Sequence, residues 1–151
     1  MLYEALTARE NVTFAARLYG VRDAPAEADA ALQRMQIIDR ADTPVRFLSR
    51  GLRQRVSIAR ATVHGPSVVL ADEPFTGLDV VGARALASVL GELREAGAAL
   101  ILVTHNLDEG LGLATHAAIM NRGRIVRLEP RSAFDASIFA REYQELVSAD
   151  A

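Results

Sequence analysis

Two short apolar runs constrain this chain more than anything else in it. Ser67-Val68-Val69-Leu70-Ala71 and Leu100-Ile101-Leu102-Val103 carry apolar side chains on both faces. Between them, Val81 to Glu95 places Leu86, Val89, Leu90 and Leu93 on one helical stripe. Strands apolar on both faces belong inside a parallel sheet, and parallel neighbours need a crossover of this kind. The pattern predicts an α/β architecture with parallel strands. A length of 151 residues leaves room for one domain around one sizeable core.

The flanking segments follow the same alternation. Thr7-Ala8-Arg9-Glu10 reads as a capping box opening a helix that runs to about Tyr19 and stops at Gly20. A second helix is expected from Asp23 and Pro25, carrying Ala30, Leu32, Met35 and Ile37, with Thr43-Pro44 ending it. Residues from about 5 to 47 therefore read as a small helical subdomain. Ser49 looks like the N-cap of a helix from Arg50 to about Val63. After the second strand, a short helix near Leu107 to Leu113 precedes a hairpin. Ala117 to Met120 and Ile125 to Leu128 flank its turn, Asn121-Arg122-Gly123-Arg124, and Ser132 opens a terminal helix.

Composition narrows the chemistry. The formal net charge is -2, which creates no field favouring nucleic acid or an anionic membrane surface. With no cysteine there is no disulfide, thiolate metal site or cysteine nucleophile. No apolar run approaches the roughly 20 residues of a membrane helix, so a cytosolic chain is the default expectation. Every basic side chain except the histidines is arginine, and without lysine the chain holds no G-x-x-x-x-G-K-[ST] phosphate loop.

Four places carry candidate chemistry. The first strand ends on Asp72-Glu73-Pro74, two carboxylates at the mouth where α/β ligand sites lie. One acid suits a hard cation and its neighbour an attacking water, although Asp-Glu-Pro also simply starts a turn. Leu48-Ser49-Arg50-Gly51-Leu52-Arg53-Gln54-Arg55 reads as a capped helix start whose amides suit an anion, or as a capped helix and no more. Thr104-His105 ends the second strand, where a histidine can donate to a phosphate oxygen or serve structure alone. Phe75-Thr76-Gly77-Leu78-Asp79 is, by itself, a glycine-containing turn capping the next helix.

Taken in order, these motifs resemble those of the ABC ATPases. Leu48-Ser49-x-Gly51 with Arg55 and Ala59-Arg60-Ala61 is similar to the family's signature sequence. The strand ending Asp72-Glu73-Pro74 is similar to its Walker B motif, Gly77-Leu78-Asp79 to its D-loop, and Thr104-His105 to its switch histidine. Leu2-Tyr3 with Leu6 to Val12 resembles the segment after the family's Q-loop glutamine, and Asn121 to Val126 its late hairpin. The likeness covers nearly the whole chain.

The resemblance implies a single partial ABC ATPase domain over 1–151. That domain is a P-loop NTPase core with parallel strands and an N-terminal helical subdomain, its Walker A strand and loop lying before Met1. It implies ATP and Mg²⁺ as cofactors, with Asp72 orienting the metal, Glu73 polarising the hydrolytic water and His105 contacting the γ-phosphate. Ser49, Gly51 and Gln54 would belong to the surface facing a nucleotide held by a second ATP-binding subunit, in a head-to-tail dimer. Asp79 would stand at that dimer interface. A transmembrane permease would be the other partner, with no nucleic acid involved, and the place would be cytoplasmic, peripheral at the inner face of the membrane.

Arg50 and Leu52 depart from the family's usual glycine and glutamine. Thr7 to Val12, Ala16 to Gly20 and the signature ending Leu52-Arg53-Gln54-Arg55 resemble the haem exporter's ATP-binding subunit of cytochrome c biogenesis, features shared with drug and polysaccharide exporters. Two other readings stay open. One is a soluble ABC ATPase of DNA repair or translation, against which stand the missing coiled coil and second cassette. The other is a non-catalytic remnant acting as an interaction piece. The isolated chain is expected to bind ATP weakly or not at all, and to expose apolar surface around Leu100 to Val103 and Ala117 to Met120.

Overall fold

A computed structural model describes residues 1–148. The chain forms two compact units, Met1–Val103 and a second beginning at Thr104. The order in the first unit is α1 (Ala8–Leu18), α2 (Ala24–Arg34), α3 (Arg50–Thr62), β1 (Val68–Asp72), α4 (Val80–Glu95) and β2 (Ala99–Val103). Helix α1 starts as its capping box dictates. The Glu10 amide donates to the Thr7 hydroxyl at 3.1 Å, and the Thr7 amide donates to the Glu10 carboxylate at 2.8 Å. Asp23 caps α2 by accepting from the Ala26 amide at 3.3 Å.

Helix α2 is shorter than its apolar spacing suggests. It ends at Arg34, Gln36 adopts φ 55°, and the Ile37 amide donates back to the Leu32 carbonyl at 3.0 Å. Met35 and Ile37 are still buried, because the reversing turn returns them to the core that the helix already faces. Two 3₁₀ turns, Ile38–Arg40 and Val45–Phe47, lead to α3. Val12, Leu32, Met35, Ile37, Val45 and Val56 fill the space among α1, α2 and α3.

Strands β1 and β2 pair in parallel with Val69 opposite Leu100 and Leu70 opposite Ile101, joined through α4 as the sequence requires. Apolar surface is exposed around Leu100 to Val103, as expected of the isolated chain, and it lies on one face of the pair. Val69, Ala71, Leu100 and Leu102 are half-buried, whereas Leu70 is 73% and Ile101 59% exposed, with Val68, Val103 and Asp72 beside them. Apolar composition on both faces records what a strand is suited to, and here one face is without cover within the first unit. Such a face drives association. Leu70→Glu is therefore expected to leave the urea midpoint within about 0.5 kcal/mol of the parent while reducing self-association in sedimentation velocity. A large loss of stability would show the face to be buried after all.

The second unit holds α5 (Leu107–Leu113), β3 (His116–Asn121), β4 (Arg124–Pro130) and α6 (Ala136–Ser148). Strands β3 and β4 form the expected antiparallel hairpin. Arg122 (φ 47°) and Gly123 (φ 76°) supply the two left-handed residues that match the strands' twist. Helix α6 begins at Ala136, later than the sequence suggests. Ser132 lies instead in the 3₁₀ turn Arg131–Ala133, and the Asp135 carboxylate accepts from the Ser137 amide at 2.8 Å. Ala117 and Ile119 are buried with Phe139 of α6, so this face is covered, while Met120 is exposed as expected.

Candidate functional site

Two groups of candidate residues are built in the first unit. One is the acid pair at the end of β1. Asp72 is the last residue of the strand, paired in register with Val103, and its side chain is exposed. The next residue, Glu73, takes φ 45°, a left-handed backbone that a side chain disfavours. Its amide donates to the Val103 carbonyl at 2.7 Å, which carries the parallel ladder one residue beyond the strand and holds the backbone there. Buried Pro74 and Phe75 anchor the following turn, which the Thr76 amide closes onto the Glu73 carbonyl at 3.1 Å. Gln36 and Arg122 share this backbone in turns, and what sets Glu73 apart is the Val103 bond that holds it at the mouth of the strand.

The acid pair fits magnesium. Among the described residues no cluster of three or more His, Asp or Glu forms a protein cage. Mg²⁺ held through phosphate oxygens and waters needs only one or two carboxylates, and Asp72 and Glu73 offer hard oxygen donors at the solvent end of a strand.

The other group joins the start of α3 to the turn before α4. Ser49 is the N-cap of α3, its hydroxyl accepting from the Leu52 amide at 3.3 Å. Gly51 lies so near the turn that a Cβ there would stand 3.2 Å from the Gly77 carbonyl oxygen. Gly77 itself needs glycine, with φ 82°. Gln54 is half-buried one turn further along α3.

Asp79 caps α4 by accepting from the Gly82 amide at 2.9 Å, and it pairs with Arg55 of α3. The Gly82 amide foremost, and then the Arg55 guanidinium, hold the Asp79 carboxyl below the usual carboxylate range. Its folded value is depressed, so its contribution to stability is present above the unfolded carboxyl's value and is lost as pH falls through the folded one.

His105 belongs to the second unit and is exposed, two residues after Val103 ends β2. Asn106 follows it and caps α5 by accepting from the Glu109 amide at 3.4 Å.

Sequence reasoning treated Arg55 as a motif residue and missed its pairing with Asp79. The signal was present. Gly82 is an isolated glycine inside a helical run, and such a residue often marks a close approach. The left-handed backbone of Glu73 had no sequence signal, since glutamate is not among the glycine, asparagine and aspartate residues that favour it.

Comparison with known proteins places this arrangement. The family model described as "ABC transporter" matches residues 1–76. The taurine import ATP-binding protein of Mesorhizobium japonicum is 42% identical over 133 residues, covering 83% of this chain and 51% of that protein. The cobalt import ATP-binding protein of Rhodobacter capsulatus is 38% identical, covering 81% and 44%. The fluoroquinolones export ATP-binding protein of Mycobacterium tuberculosis is 34% identical, covering 84% and 42%. A solved structure of the ATP-binding subunit of an ABC transporter superposes with a TM-score of 0.80 at 28% identity, over 99% of this chain and 64% of that one.

The chain thus spans about half the length of these curated relatives. Most of these relatives are named for import and one for export, so the likeness does not support the expected exporter direction. The family match over residues 1–76 and the shared α/β fold establish that the chain belongs to the ABC transporter ATP-binding family.

Proposed function

We propose that this chain is the catalytic-acid and partner-facing part of an ABC transporter ATPase that hydrolyses Mg–ATP to drive a transmembrane permease. The observation that carries the reading is the constrained Glu73, aligned by its bond to Val103 directly after Asp72. In this reading Asp72 orients Mg²⁺ through water, and bound magnesium supplies charge neutralisation on the phosphates. Glu73 accepts the proton of the attacking water, and His105 donates to the γ-phosphate. Ser49, Gly51 and Gln54 face the nucleotide of a second ATP-binding subunit in a head-to-tail dimer, with Asp79 at that interface.

The domain is a single partial ATPase over 1–151, and its place is the cytoplasmic face of the membrane. No helix among the described residues is long and apolar enough to cross the membrane itself. Export, and haem as cargo, is the narrower reading. Its support is the likeness of Thr7 to Gly20 and Leu52 to Arg55 to the haem exporter's subunit, and cargo is set by the permease.

The coding sequence upstream of Met1 supplies the test. In-frame codons for a glycine-rich loop with lysine, followed by a glutamine near the present start, should yield a polypeptide with magnesium-dependent ATPase activity. The 151-residue chain alone should then give no saturable heat when titrated with Mg–ATP, because it lacks that lysine and its loop. Tight Mg–ATP binding by the 151-residue chain, or an extended polypeptide that hydrolyses no ATP, would overturn the proposal. A stop codon directly upstream would favour the remnant reading instead.

A further inference from the structure

The Arg55 side chain is only 8% exposed, although Arg50 on the same helix is exposed and Arg53 and Arg60 are half-buried. A buried guanidinium persists only where it is paired, and its partner is Asp79, whose own side chain is 68% exposed. The same Asp79 oxygen that receives Arg55 also takes the Gly82 amide. Gly82 provides the room. A Cβ there would stand 2.7 Å from the Arg55 Nε and 3.2 Å from its Cζ. Toward the start of α3 is a second point of approach, where Gly51 meets the Gly77 carbonyl and Arg50 passes 3.7 Å from the Cβ position of Gly77. Two points of contact, unlike one, fix the orientation of a turn against a helix.

Resting on the reading above, we propose that Arg55 is a positioning residue whose ion pair with Asp79 holds the Gly77–Asp79 turn and the N-terminus of α3 as one body. Ser49, Gly51 and Asp79 would then meet a second subunit's nucleotide together. A purely space-filling Arg55 would leave the two elements independent.

The test uses the 151-residue chain, isotopically labelled, with the Asp79 carboxyl and the Gly51 and Gly82 amides followed by NMR across an acid titration. Arg55, paired with Asp79, and Arg50, beside Gly77, are the charged groups the described residues bring against this turn, so the midpoint is read from the Asp79 resonance itself. The Gly51 amide is expected to report the same midpoint as Asp79. In Arg55→Met the Asp79 midpoint should move upward and the Gly51 response should disappear, and Arg55→Lys should restore part of it. A Gly51 amide blind to Asp79 in the parent chain, or Arg55→Met leaving both readouts unchanged, would overturn the proposal.

If Arg55→Met does not fold, Asp79→Asn and Gly82→Ala replace it. Each should reproduce at neutral pH the Gly51 shift that acid produces in the parent, and a Gly51 amide unmoved in both would overturn the proposal equally. No nucleotide enters the assay, so its outcome is separate from the fate of the ATPase reading.

Discussion

Glu73→Gln in the extended ATPase is expected to reduce turnover by about 10²–10³-fold, the usual contribution of a positioned general base. Mg–ATP binding should stay within about twofold of the parent, because phosphate positioning lies with other groups. Glutamine keeps the length of glutamate and can still occupy the same backbone, so the loss isolates basicity from shape. Asp72→Asn should differ in kind, weakening the magnesium dependence as well as the rate. Turnover and equilibrium nucleotide binding measured on the same preparations separate the two. A Glu73→Gln enzyme retaining full turnover would remove this residue from the chemistry.

The largest effect on stability is expected at Asn11. This side chain is fully buried in α1, and it ties down the segment before the helix. Its Oδ1 accepts from the Tyr3 amide at 2.8 Å, and its Nδ2 donates to the carbonyls of Tyr3 at 3.0 Å and Thr7 at 2.9 Å. Asn11→Ala leaves the Tyr3 amide without its partner, while the Tyr3 and Thr7 carbonyls keep the Leu6 and Asn11 amides, at a cost of about 1–3 kcal/mol. Against a total stability of about 5–15 kcal/mol, that is a large fraction. Asn11→Asp should be at least as damaging, since a carboxylate keeps the acceptor but sets negative charge against two carbonyl oxygens. Urea denaturation with an unchanged slope would measure both. If Asn11→Asp is tolerated, the amide is not the donor to those carbonyls.

Local chemistry made much of the fold legible. Thr7 with Glu10, Asp23 with Pro25, and Arg122 with Gly123 satisfy or redirect backbone groups within a few residues, so their effect is written where they stand. The parallel pairing of β1 with β2 followed from a helix of the right length between two apolar runs. What failed depended on distant partners. Nothing in Ala117 or Ile119 says that Phe139 covers them, and nothing in the spacing of Met35 and Ile37 separates a longer helix from a turn that folds back.

The candidate site divides in the same way. The strand-end place of Asp72 and the helix caps at Ser49 and Asp79 were legible because they are local patterns, and the chemical roles of these residues belong to the proposed function. The burial of Arg55 was missed because it is created by the approach of α3 to α4. Asn11 entered only as part of the Leu6 to Val12 stretch, and the path of residues 3–7 gives it its role in stability.

The left-handed backbone of Glu73 also bears on how this position would respond to selection for robustness. Glycine adopts that backbone without the penalty of roughly 1–2 kcal/mol that a side chain incurs, so Glu73→Gly relieves strain while deleting the carboxylate. Variants chosen for heat tolerance alone would drift toward glycine here and lose the acid. Under the proposed function position 73 is a point of stability–activity trade-off, where thermal screening needs a paired screen for turnover.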